Sequence, residues 1–267
     1  LGGALFGADF AQAEEEWEQV GGVFDANHTS VFVEGDTVYV AFQRDESSRG
    51  LEVRKFENGE WVQIGPAPID TGVFKTAIYV HKGVPYVAFD DSSLGVAVMK
   101  YVEEQDEWVR IGDRANTNRG SAHDIQLVVE DDNIYLAYQV FVDFIYYDAF
   151  VMKYNEAEGT WDELGGEHPL GHDIYTFGLD MEVIDGVVYV SRYDPEGSLF
   201  KVQKFDDTNP DARWEDVTGD EESWKETSVF FHNTKFHQGT AYHATIDFYG
   251  YTHVKVASGT KWQEIGK

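Results

Sequence analysis

Cysteine is absent from this chain of 267 residues, which excludes disulfide staples, thiolate metal sites, iron–sulfur clusters and cysteine nucleophiles. Positive charge is scarce. Twenty Lys and Arg stand against 49 Asp and Glu, a formal charge of −29 at pH 7. Such a surface repels phosphate backbones and anionic bilayers, so neither nucleic-acid binding nor membrane docking is expected. No apolar run approaches the ~20 residues that span a bilayer. No basic segment leads into an apolar stretch, so a leader peptide is expected to be missing or already removed. Helical periodicity is missing too, because no interval places apolar residues at i, i+3, i+4 and i+7. Core material is nonetheless ample, with 15% aromatic and 42% hydrophobic residues, and the length suits one large β domain.

Tryptophan sets the period. The motif Trp-x-x-(Val/Ile/Leu)-Gly begins at Trp17, Trp61, Trp108, Trp161 and Trp262, with a degenerate WEDVTG at Trp214. Successive copies are 44, 47, 53, 53 and 48 residues apart, and Trp224 alone falls off the grid. Each interval also carries a Tyr-centred strand: TVYVAF (37–42), VPYVAF (84–89), NIYLAY (133–138), VVYVSR (187–192) and TAYHAT (240–245). Turn pairs such as Gly35-Asp36, Lys82-Gly83 and Asp185-Gly186 precede these strands and suit tight hairpins. A further alternating strand ends just before each Trp, as in LEVRKF (51–56) and FKVQKF (200–205).

Four short antiparallel strands per unit, repeated radially, spell an all-β, five-bladed β-propeller. Five inner triplets accompany six Trp motifs, so a six-bladed ring lacking part of a blade is the alternative. The propeller is expected over 17–267, with repeats starting near 17, 61, 108, 161 and 214. Residues 1–16 stand outside the grid; Asp9 and Gln12 have capping-box spacing, which predicts a short helix or linker.

The segments VPYVAFDD (84–91), VAVMKYVEEQDEWVRIG (96–112) and FVMKYNEAEGTWDELG (150–165) resemble a repeat of bacterial secreted and cell-surface proteins. The resemblance covers about 17–266 and is similar in strand order to kelch repeats, with Ala-Phe or Ala-Tyr where kelch has Gly-Gly. The sialidase Asp-box is absent. The resemblance implies an extracellular or cell-surface propeller of unassigned activity and carries over no catalytic residue.

Candidate sites follow from the repeat. With the five central Tyr in register, the inner strands place Ser30, Ala77, Gln126, Asp180 and Asn233 at one axial level. Phe32, Tyr79, Val128, Glu182 and Lys235 form the next level. Unlike residues at equivalent places suit a site, and Ser30, Gln126, Asp180, Glu182, Asn233 and Lys235 are the channel candidates. The intervening Val31, Ile78, Leu127 and Met181, with Val33, Val80, Val129 and Val183, should face neighbouring blades. Histidines gather near the strand entrances: His28, His123 beside Asp124, His172 beside Asp173, His232 and His237. Imidazole with carboxylate suits metal binding or proton transfer, but no ligand spacing singles out a metal. Aspartates at 44–48, Asp90-Asp91 and Asp194 offer calcium oxygens without the EF-hand pattern, so no cofactor is expected, with Ca²⁺ the alternative. Three loops are long and aromatic, at 140–150, 192–198 and 246–253. Their Tyr146, Tyr147, Arg192, Tyr193, Phe248, Tyr249 and Tyr251 make a candidate binding rim for a glycan or protein.

The leading expectation is therefore a monomeric, non-enzymatic, secreted or surface binding module. The alternatives are a glycan-active enzyme using Asp124, Asp180 and Glu182, or a structural spacer.

Overall fold

The computed structural model describes residues 19–45, 47–90, 95–115, 121–142, 146–166, 170, 178–194, 199–217, 229–237, 240–247, 249, 251–258 and 261–265. It is a five-bladed β-propeller of four-stranded antiparallel blades. Blade one holds β1 (Ala26–Glu34), β2 (Thr37–Arg44), β3 (Leu51–Glu57) and β4 (Glu60–Gln63). Blade two holds β5 (Lys75–His81), β6 (Val84–Asp90), β7 (Val96–Val102) and β8 (Glu107–Arg110). Blade three holds β9 (Ala122–Glu130), β10 (Asn133–Val142), β11 (Tyr146–Asn155) and β12 (Thr160–Glu163). Blade four holds β13 (Leu179–Ile184), β14 (Val187–Asp194), β15 (Leu199–Asp206) and β16 (Glu215–Asp216). Blade five holds β17 (Val229–His237), β18 (Thr240–Asp247), β19 (Thr252–Ser258) and β20 (Lys261–Glu264). Each blade uses four consecutive strands, so the Trp262 motif is the fourth strand of blade five. Residues 1–16 and Trp17 lie outside the described residues.

Hairpin chemistry matches the sequence. Lys82 and Gly83 both have positive φ (53° and 78°), as do Asp131 and Asp132 (46° and 65°) and Asp185 and Gly186 (52° and 76°). Two consecutive left-handed residues make a turn whose twist agrees with that of the strands it joins.

The core is distributed between blades, with apolar clusters joining blade one to two, two to three and three to four. On β10, Ile134, Leu136, Tyr138 and Val140 pack toward blade two, whereas Tyr135 and Ala137 pack toward blade four. Period-2 alternation therefore produces the continuous apolar run that this strand shows. Ile78 and Val80, Leu127 and Val129, and Met181 and Val183 are buried at interfaces as expected. Val31 and Val33 depart from the pattern at 62% and 57% exposure. On that side of blade one, cover comes from Phe24, which stacks on Phe42 at 4.5 Å between centroids and leaves the inner strand open.

The Trp motif acquires a mechanical meaning. In blades one to four the Trp pairs across the outer hairpin with an aromatic of the third strand, at 5.3 Å for Phe56–Trp61 and 5.4 Å for Tyr101–Trp108, Tyr154–Trp161 and Phe205–Trp214, whereas Trp262 of blade five lies opposite Ala257 and packs on His243. The indole then reaches the preceding repeat. Trp61 Nε1 donates to the Val20 carbonyl, Trp108 to Ile64, Trp161 to Asp113 and Trp214 to Leu164, at 3.0–3.1 Å. The motif glycine lies under these rings. A Cβ on Gly65 would meet Trp108 Nε1 and Tyr101 Cε2 at 2.8 Å, and Gly65 has φ of 66°. Side chains are excluded there by both space and backbone conformation. We expect Gly65→Ala to lose about 1–3 kcal/mol in urea unfolding, and Trp108→Phe about 1 kcal/mol through the missing N–H donor. Unchanged midpoints in both variants would contradict this account of the repeat.

Candidate functional site

Inner strands β1, β5, β9, β13 and β17 enter the sheet at one end of the axis, and three of them are irregular at or near that entrance. The β1 register shifts between Asn27 and Ser30, the β9–β10 register between Ala137 and Gln139, and the β17 register between Val229 and Phe231. Two non-glycine residues at these bulges are left-handed, His28 at φ 48° and Asp124 at φ 47°. Bulges re-aim side chains, and non-glycine αL residues persist only where surrounding structure over-determines them.

Asp124 and Asp180 lie on neighbouring blades. Asp124 Oδ2 accepts from the Gly178 N–H at 3.0 Å, which ties the β9 entrance to that of β13. Asp180 is 6% exposed. Its Oδ2 accepts from the Thr234 N–H at 2.8 Å and its Oδ1 from Asn233 Nδ2 at 3.3 Å, joining blade four to blade five. Burial pushes the Asp180 carboxyl up to about 6, with a further upward push from Asp124 and Glu182; the Thr234 hydrogen bond and Lys235 pull the other way. Desolvation wins because a buried carboxylate loses more hydration than one backbone amide and one solvent-screened ammonium return. Glu182 sits one level deeper on β13, near the Tyr79 phenol, which burial and then Glu182 raise above its ordinary value.

The other channel candidates divide. Ser30 Oγ accepts from the Ile78 N–H at 3.0 Å, a blade-to-blade strut equivalent to that of Asp180 on Thr234. Asn233 and Lys235 are exposed, Gln126 and Glu182 half-buried. At the mouth, burial and then Lys75 and Arg49 lower His28 below its ordinary value. Burial likewise lowers His123, with Lys75 adding to the drop and Asp124 opposing it. His172 and Asp173 lie outside the described residues, as do the side chains of His232 and His237. Among the described residues no three His, Cys, Asp or Glu gather as a metal-ligating group.

The rim candidates are scattered. Tyr249 and Tyr251 stand 82% and 68% exposed between β18 and β19. Tyr146 and Tyr147 belong to strand β11, paired with Val142 and Phe141, and Tyr193 to β14; their side chains lie outside the described set. Phe248 is outside it altogether. Arg192 is only 5% exposed and its Nε donates to Gln203 Oε1 at 3.3 Å, so it faces the blade interior. Sequence reading missed Lys75 and Arg49, which carry no motif; the scarcity of cations in this chain was the usable signal.

No protein-family model matches the sequence. No curated protein matches it. Among solved structures the chain is similar to YjhT, with a TM-score of 0.60 and 13% identity over 91% of this chain and 84% of that one. It is also similar to a thermostable family-43 glycoside hydrolase, with a TM-score of 0.51 and 10% identity over 93% and 95% of the two chains. Zg3597, a family 117 glycoside hydrolase of the marine bacterium Zobellia galactanivorans, aligns over 74% of this chain at 13% identity and a TM-score of 0.49. The identities make this a likeness of fold.

Two expectations are corrected here. The kelch-like resemblance is overturned: the matched architecture is a propeller fold shared with a family-43 glycoside hydrolase, and the kelch glycine positions are filled by Ala41-Phe42, Ala88-Phe89 and Ala137-Tyr138, all buried. The expectation of a non-enzymatic binding module is corrected as well: a chain described as a glycoside hydrolase shares this fold over 93% of the present one, so the architecture does not mark a non-enzymatic module.

Asp180 also sets a pH dependence of stability. The folded chain holds its proton up to about pH 6, whereas the unfolded chain releases it near 3.8. Between those values the folded state binds more protons, so stability falls as pH rises and is flat above the window. We expect Asp180→Asn, which keeps an acceptor for the Thr234 N–H, to remove that fall and to gain on the order of 1–3 kcal/mol at pH 7. Chemical denaturation across pH 3.5–7.5 reads it (roughly spanning the unfolded and folded values), and identical profiles for the two proteins would refute the assignment.

Proposed function

We propose that the chain is a glycan-active enzyme of glycoside-hydrolase type, with its carboxylates at the axial entrance of blades three and four. The observation that carries this reading is Asp180, a buried carboxyl held at about 6 beside a second carboxylate on the adjoining blade. Glycoside cleavage requires that pairing: one carboxyl keeps a proton for the leaving oxygen, and another stays ionised to activate water or attack the anomeric carbon. Asp180 is the proton donor. Asp124, aimed by its bulge and anchored by one backbone N–H, is the base or nucleophile. Glu182 acts on Asp180 through its charge, discouraging the proton's departure.

Tyr249 and Tyr251 complete the reading as flat platforms on which sugar rings lie while the bond to be cleaved sits over the axis. Apolar sugar faces stack on aromatic rings, and rings this exposed gain burial on contact. An extracellular or cell-surface location fits such a substrate. No helix among the described residues is long and apolar enough to cross a membrane.

Hydrolysis of a panel of plant and algal oligosaccharides, followed by reducing-end release, tests the proposal. Asp124→Asn and Asp180→Asn are each expected to lower kcat by about 10²–10⁴-fold with little change in KM. In the wild type, kcat should decline above pH 6, where Asp180 loses its proton. Tyr249→Ala should raise KM about 3- to 10-fold and leave kcat intact. Activity that survives both Asp substitutions would eliminate the site.

A further inference from the structure

At the described mouth of the propeller, blades three and four present Asp124, Asp180 and Glu182. Blades one and two present Arg49, Lys75 and the imidazole of His28, together with the carboxylates of Asp45, which accepts from Asn27, and of Asp90, which is buried opposite Lys75 in the sheet. The two cationic residues are placed deliberately by the local fold. Arg49 has φ of 48° in the β2–β3 connection, a conformation that costs a non-glycine residue energy, and its guanidinium lies 4.4 Å over the Phe74 ring. Phe74 also meets His28, at 6.4 Å between ring centroids. Lys75 is the next residue, the first of β5, and Thr76 Oγ1 donates to the His28 carbonyl at 2.6 Å, clamping the β1 and β5 entrances together. Arg49 and Lys75 make no ion pair among the described residues, although Asp and Glu outnumber Lys and Arg 49 to 20 in this chain. Their influence reaches the base side of the mouth: Lys75 bears on both His28 and His123, and His123 adjoins Asp124.

We propose that Arg49 and Lys75 form a subsite for an anionic substituent of the substrate, so that the glycan taken is an acidic one, bearing carboxylate or sulfate. This deepens the hydrolase reading and rests on it. A chain of charge −29 repels an acidic polymer over most of its surface, so such a ligand is held only where unpaired cations produce a local field of opposite sign. A neutral glycan gives no use to two unpaired cations beside the carboxylates. A guanidinium stacked on a ring keeps its N–H fork directed, which suits carboxylate and sulfate oxygens, and Lys75 supplies a second donor from the adjoining strand.

The test is calorimetric binding of three probes to the whole chain, paired with hydrolysis assays: tetragalacturonate for carboxylate, a carrageenan tetrasaccharide for sulfate, and xylotetraose as the neutral comparison. The wild type should prefer at least one acidic probe about tenfold over the neutral one at about 50 mM NaCl and lose most of that preference at about 300 mM. Lys75→Met and Arg49→Ala should each collapse the acidic-to-neutral ratio, and Lys75→Arg should restore it. Melting temperatures verify that the variants fold. The probe that loses affinity identifies carboxylate or sulfate as the group bound. A wild type that binds the neutral probe as well as both acidic ones, or a ratio indifferent to Lys75 and Arg49, overturns the subsite, even where hydrolysis that depends on Asp124 upholds the enzyme. Lys75-dependent binding of an acidic probe, with wild type and Asp124→Asn equally inert toward every oligosaccharide, overturns the hydrolase reading instead.

Discussion

The indole N–H of one repeat, donated to a carbonyl next to the preceding repeat's glycine, holds blades one to four in register. The contact works only because three things coincide. The glycine leaves room for the ring and adopts a left-handed backbone, as Gly65 does under Trp108 and Tyr101. The Trp is braced by an aromatic across its own hairpin. A carbonyl beside the glycine accepts the indole N–H, from Val20, Ile64 and Leu164 just ahead of it and from Asp113 just after it. Repetition of that joint sets the spacing of blades, and the spacing determines which side chains meet at the axis. The first joint is made by Val20, ahead of blade one, so the motif that begins at Trp17 supplies a seat for Trp61 before any described strand has formed.

Carboxylates provide a second set of joints, and they account for part of the acidity. Glu34 accepts from the Gly83 N–H, Glu130 from Asp185 and Gly186, Asp124 from Gly178 and Asp180 from Thr234. Each crosses from one blade to the next and satisfies a backbone donor at a turn or strand entrance. Glu34 and Glu130 do this at the turn side, where solvent compensates their charge. Asp180 does it while buried, and there the same bond carries a desolvation penalty that holds a proton on the carboxyl. Chemistry and architecture therefore compete at one residue. An acceptor needed for the ring becomes an acid because it is dry.

The acid–base reading and the placing of charges at the mouth come from one geometric fact: the inner strands all enter at the same end. Groups distant in sequence are brought to a common rim, as the Asp124 carboxylate and the Gly178 N–H demonstrate. Arg49 and Lys75 come from blades one and two and Asp124, Asp180 and Glu182 from blades three and four, although Asp45 and Asp90 keep carboxylates on the first side and Lys235 adds a cation from blade five.

Much of the architecture was legible before any coordinates. The recurrence of Trp-x-x-(Val/Ile/Leu)-Gly, the Tyr-centred strands and the Lys-Gly or Asp-Gly turns pointed to strand order and hairpin type, because these are local patterns with local causes; they favoured five blades, and six stayed open until Trp262 was placed on the fourth strand of blade five. His123-Asp124, Asp180 and Glu182 were legible as candidates, since alignment of the repeats exposes residues that differ at equivalent positions. Other features were settled only by tertiary structure. Arg192 turned inward because its strand alternates, and one residue of register decides which face it takes. The part played by Lys75 depends on its proximity to two histidines of other blades, which no motif encodes. The raised proton affinity of Asp180 depends on what surrounds it in space. Repeating contacts can be read along the chain because each repeat restates them, whereas solvent exclusion and the convergence of charges exist only once the ring brings its blades together.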